Sequence, residues 1–142
     1  MTYRLTFELQ GLPPLQTAAA TTHHREARRV SQAWKQLVVD RVGLGKGPEK
    51  PLKRARVVFT RFSTTCPDPA NQPAAMKPLE DGLVAAGVLE DDNEVVYGRC
   101  SACGRAGAVY RWVKEKRGRG RVRIEVWEMA PLAMGQEGTD EG

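Results

Sequence analysis

Residues Tyr3 to Leu9 alternate in character, with Tyr3, Leu5, Phe7 and Leu9 on one side and Arg4, Thr6 and Glu8 on the other. A two-residue period of this kind predicts a strand with one buried face. Gly11-Leu-Pro-Pro14 ends it, because proline has no N–H to give to a ladder, and residues 16–22 form a polar, alanine-rich connection. The period then lengthens. Val30, Trp34, Leu37, Val38 and Val42 recur at helical spacing, with Arg28, Arg29, Gln32, Lys35, Gln36 and Asp40 on the remaining turns. The spacing predicts an amphipathic helix over 25–42 whose apolar stripe, Leu37 included, packs on a sheet.

Gly43 to Pro51 holds three glycines and two prolines and reads as a loop, after which 55–62 give a second strand leading to Cys66-Pro-Asp-Pro69. Met76, Leu79, Leu83 and Val84 predict a second helix. Pro78 sets its start, since proline is tolerated in the first helical turn, and so places Lys77 near the beginning; Gly87 suits a left-handed C-terminal cap. Further strands are predicted at 95–97, 108–114 and 121–129, the last with Val122, Ile124, Val126 and Trp127 inward. Strand, helix, strand, helix and then a run of strands predict an α/β single domain, a mixed β-sheet with two main helices packed on one face. The domain is expected over 1–132. Residues 133–142 read as an acidic disordered tail, with Glu137, Asp140, Glu141 and three glycines but no base.

Composition narrows the class. A chain of 142 residues with 41% hydrophobic and 27% charged content has room for one core without disulfide staples. No apolar run approaches the roughly 20 residues of a membrane span, and the alternating N-terminus lacks a secretory apolar core, so the expectation is a cytoplasmic protein with no membrane partner. Three cysteines, an odd number, argue against a disulfide framework and leave Cys66, Cys100 and Cys103 as thiols or metal ligands. The net charge of +5 is unevenly spread: between Arg105 and Arg123 eight Lys or Arg face the single Glu115. Such a concentration suits a polyanionic partner.

The candidate chemistry lies between the second strand and the end of the second helix. Asp68-Pro-Ala-Asn71, Lys77, Glu80-Asp81-Gly82-Leu83 and Gly87-Val-Leu-Glu-Asp91-Asp92 follow one another there. Hydrolysis of a phosphodiester needs an activated oxygen nucleophile and relief of negative charge on the phosphate, and a hard cation held by carboxylates supplies both. Lysine neutralises the same charge. The competing reading is that these carboxylates cap helices and decorate turns, the usual home of Asp and Asn.

These residues resemble the RusA family of Holliday-junction resolvases, whose pattern runs Asp-x-Asp-Asn at a strand end, a helical Lys, Asp-Ala-Leu, and Gly-x-x-x-Asp-Asp. Asp68, Asn71, Lys77, Asp81-Gly-Leu83 and Gly87 to Asp92 match in that order. The likeness extends more weakly over the first strand, the Trp34 helix and the closing Glu125-Val-Trp-Glu-Met129. The resemblance implies a homodimer that cuts opposed strands of a four-way DNA junction with Mg or Mn. It makes Asp68 and Asp92 metal ligands, Asp91 a ligand or supporting group, Asp81 a further candidate ligand, Asn71 part of the catalytic set, and Lys77 a contact to the scissile phosphate. The family's second aspartate falls on Ala70, as in a phage-type branch that reads Asp-Pro-Ala-Asn. A second registration sets Asp68 at that position and Cys66 at the first; Asn71 matches only in the former.

Two segments outside this cluster carry expectations of their own. Lys114, Lys116, Arg117, Arg119, Arg121 and Arg123 are expected on a hairpin tip joining the last two strands, where they would displace counterions from the DNA backbone without reading bases. Cys100-Ser-Ala-Cys103 resembles half of a zinc knuckle, and a second ligand pair is lacking. His23 and His24, the only imidazoles, are read as surface residues before the first helix. Two rivals to the nuclease follow: a catalytically silent junction-binding protein of the same fold, and an interaction adaptor built on the Cys100/Cys103 zinc site.

Overall fold

The computed structural model describes residues 3–13, 24–43, 45–68, 70–91, 108–116 and 118–129. Along these the chain forms β1 (Arg4–Gln10), α1 (His24–Val42), β2 (Ala55–Ser63), α2 (Gln72–Ala85), β3 (Val109–Lys114) and β4 (Arg121–Glu128). The strands make one mixed sheet in the order β1-β4-β2-β3. β4 runs antiparallel to both β1 and β2, while β2 and β3 are parallel. This is the expected α/β domain. The strand predicted at 95–97 and the 133–142 tail lie outside the described residues.

The alternation that marks β1 in the sequence decides its orientation. Leu5, Phe7 and Leu9 are buried against Val122, Ile124 and Val126 of β4 and Ala55, Val57 and Phe59 of β2. Val38 and Val42 of α1 and Met76, Leu79 and Leu83 of α2 close the same cluster, so both helices cover one face of the sheet. Leu37 departs from its expected place and is 43% exposed. One residue is a 100° step around a helix, and with Val38 fully buried Leu37 is carried to the flank.

Two further expectations are corrected. α2 begins at Gln72, so Lys77 is its sixth residue and Pro78 lies inside it. Pro73 takes the N-terminal position that proline favours, and Ala74, whose carbonyl loses its helical donor to Pro78, is exposed to water. The Gly87 cap is as expected, with φ +81°. Last, β3 and β4 are not a hairpin: β2 lies between them. The basic segment from 115 to 120 crosses over the end of β2, two strand spacings or about 10 Å.

That crossover is fixed at both ends. The Glu115 N–H donates to the Ser63 carbonyl at 3.0 Å, and the Gly11 N–H donates to the Gly120 carbonyl at 2.9 Å. Gly120 has φ +83°, and a Cβ there would meet Leu12 Cγ at 2.5 Å. A side chain is excluded by conformation and by space alike.

Candidate functional site

β2 ends at Ser63, and its last residues are tied to β3 by the Trp112 indole, which donates to Ser63 Oγ at 2.9 Å. The chain then turns through Thr64 and Thr65 to Cys66, a free, exposed thiol, and to exposed Asp68. Asp68 closes a local turn. Its Oδ1 accepts the Ala70 N–H at 3.0 Å and its carbonyl accepts the Asn71 N–H at 2.9 Å. Asn71 stands at the N-cap of α2 without a side-chain capping bond. Asp68 thus fills the turn role of the competing reading, while the Asn71 side chain makes no capping bond.

On α2, Lys77 Nζ lies 3.4 Å from Asp81 Oδ1, an (i, i+4) pair with both side chains about half exposed. Sequence spacing alone brings these two together. Glu80 turns the other way, is buried, and accepts a hydrogen bond from Tyr110 Oη at 2.9 Å. It therefore packs between α2 and the sheet.

Asp91 follows the helix at its far end. The Val88 N–H returns to the Leu83 carbonyl and the Glu90 N–H to the Leu52 carbonyl, which anchors this segment beside the start of β2. Asp68 and Asp91 accordingly flank α2, whose 14 residues span about 21 Å at 1.5 Å per residue. Asp92 lies outside the described residues, as do Cys100, Cys103, Arg117 and His23.

Whether Mg or Mn fits depends on convergence, since hard cations take several oxygen donors within about 2.0–2.6 Å. Among the described residues no three His, Cys, Asp or Glu side chains form such a group. At the β2 end the oxygen donors include Asp68, Asn71 and Gln72, whose buried Oε1 has no hydrogen-bond partner. This is part of a ligand set. The described donors alone do not build the site that the resemblance implies.

The basic residues are more fully defined. Lys114, Lys116 and Arg119 are exposed around the crossover, at the same end of the sheet as the loop to Asp68. Arg121 and Arg123 do not belong to its tip. Both extend over the sheet face opposite the helices, with Phe62 beneath their guanidinium groups at 4.1 and 5.0 Å from the ring centroid. Arg121 Nη1 donates to Glu8 Oε1 at 2.8 Å and Arg123 Nε to Glu8 Oε2 at 3.0 Å; Arg121 also pairs with Glu115 at 3.3 Å.

This pairing holds the Glu8 carboxyl below its ordinary range, chiefly through the Arg121 hydrogen bond, and raises Arg121 above its own. Reading the sequence as one basic run misses the partner Glu8, which is 113 residues away from Arg121. It also counts Arg111 in the run without placing it, whereas the β2–β3 register sets it in line with Thr60 and Arg123. The alternation of each strand is the available signal, but it requires the strand order.

Comparison with known protein families and with curated proteins finds no match to this chain. Among the described residues no helix is long and apolar enough to cross a membrane.

Proposed function

We propose that this chain engages branched DNA at the basic end of its sheet and cuts it as a metal-dependent endonuclease of the RusA type. The observation that carries the reading is the shared location of the crossover cations, Lys114, Lys116 and Arg119, with the turn that presents Asp68. Cations there hold the phosphate backbone, and a carboxylate beside it is where a hydrolytic cation would be needed. In this reading Asp68 and Asp92 hold Mg or Mn, Asp91 supports them, and Lys77 faces the scissile phosphate with Asn71 near it. The active form is a homodimer that cuts two opposed strands.

A second reading has its own support. Asp68 and Asp91 stand at opposite ends of α2, and Ala70 occupies the position of a family aspartate. Both favour a protein that binds junctions without cutting them. A synthetic four-way junction incubated with the protein and Mg or Mn separates the two. Paired, symmetric nicks that vanish in Asp68→Asn and Asp92→Asn establish the nuclease. Tight junction binding with intact strands in either metal removes it and leaves the binding protein.

A further inference from the structure

We infer that the sheet face opposite the helices is a docking surface for the phosphate backbone of duplex DNA. The inference rests on the DNA-binding reading above and extends it from the crossover to the sheet.

The registers fix the rows of this face. Glu8, Arg123, Thr60 and Arg111 form one row across the four strands, and Arg4, Trp127 and Arg56 form another nearer the opposite end; Val58, Thr60 and Phe62 of β2 are buried beneath their neighbours, so what the face offers to a partner is its longer polar side chains. With Arg121, five arginines stand on or over the face against three glutamates: Glu8 and Glu125 on the strands, and Glu115, which pairs with Arg121. Among the described residues no helix lies over it; the apolar clusters of α1 and α2 are all on the other side.

Several of these arginines are held in place. Arg121 and Arg123 lie over the Phe62 ring, and Arg4 lies 5.8 Å from the centroid of Trp127. A guanidinium stacked on a ring keeps its N–H edge available to an acceptor and loses less side-chain freedom when it binds one. Glu8 fixes the two nearest the crossover further. The surface is then continuous with Lys116 and Arg119, so one backbone can run from the crossover onto the sheet.

The charge selects the occupant. A second copy docked by two-fold symmetry would set this cationic face against itself, and an apolar partner would have to strip water from the exposed guanidinium groups of Arg4 and Arg111. A polyanion meets neither cost.

The test is fluorescence anisotropy of a labelled duplex over a series of NaCl concentrations, with EDTA present so that no strand is cut. Arg111→Gln and Arg4→Gln remove exposed side chains without disturbing the Glu8 pairs. Each is expected to lower the slope of log affinity against log salt by about 0.9 and to weaken binding roughly eightfold at 0.1 M salt. Arg28→Gln, on the exposed side of α1, leaves both unchanged.

If Lys116→Gln and Arg119→Gln lower the slope while Arg111→Gln and Arg4→Gln keep it, the DNA reading stands and the sheet-face inference fails. If the sheet-face variants instead change the sedimentation of the free protein at an unchanged slope, the face joins two copies and the inference fails as well. Absence of any salt-dependent binding by the unaltered chain overturns both.

Discussion

A single methyl group tests how closely α1 and α2 pack. A Cβ on Gly82 would come 2.7 Å from Val38 Cβ and 2.9 Å from the Lys35 carbonyl oxygen. Alanine improves helix propensity by about 1 kcal/mol over glycine. Overpacking costs typically about 1–3 kcal/mol, and a backbone carbonyl gives way less readily than a side-chain tip. Steric cost wins: Gly82→Ala is expected to destabilise the fold by about 1–2 kcal/mol, read as a lower urea midpoint at unchanged slope. Gly120→Ala is expected to lose about 1–3 kcal/mol, because it combines φ +83° with the 2.5 Å approach to Leu12. The sequence marks both positions as glycine and nothing more. The glycine at 82 acquires a cause only once Val38 is seen against it.

At the scale of elements, what is legible depends on whether local periodicity or strand order decides the outcome. The inward faces of β1 and β4 follow from alternation, since Leu5, Phe7, Val122, Ile124 and Val126 are all buried, whereas Trp127, expected inward beside Val126, is the next residue in the alternation and lies on the opposite face in register with Arg4 and Arg56. The start of α2 is harder to place because two prolines compete for one rule, and Pro73 rather than Pro78 obeys it. The crossover reads as a hairpin because nothing local to 114–121 reveals that β2 intervenes. Strand order also makes the Glu8 pairs, and these have a pH signature. The Glu8 carboxyl titrates below its ordinary value of 4.5 in the folded chain. Its contribution is therefore complete above that ordinary value and is lost as pH falls through the lowered folded one. Partly exposed pairs are worth little, about 0–1 kcal/mol. Glu8→Gln is expected to lower stability slightly at neutral pH and to converge with the unaltered chain under acid. Equal losses at both pH values, measured by urea unfolding, would sink the assignment.

For the whole molecule the open issue is whether two ends of one helix act together. Substitutions at separated sites add to within about 0.3–0.5 kcal/mol, whereas groups sharing a ligand couple more strongly. In metal-free protein, with α2 between them, Asp68→Asn and Asp91→Asn are expected to be additive in unfolding free energy. The same cycle with saturating Mn discriminates between the two functional readings. A shared ion gives each carboxylate its full effect only when the other is present, so the nuclease reading requires the coupling to rise above about 1 kcal/mol. It also requires the loop from Thr64 to Asn71, or the segment after Glu90, to draw the donors together on binding. Such a rearrangement would appear as Mn-dependent protection of amides at both ends of α2 in hydrogen exchange. Additivity that persists in Mn means that the carboxylates never meet, which removes the nuclease reading and leaves the proposed junction-binding one to be tested on DNA itself.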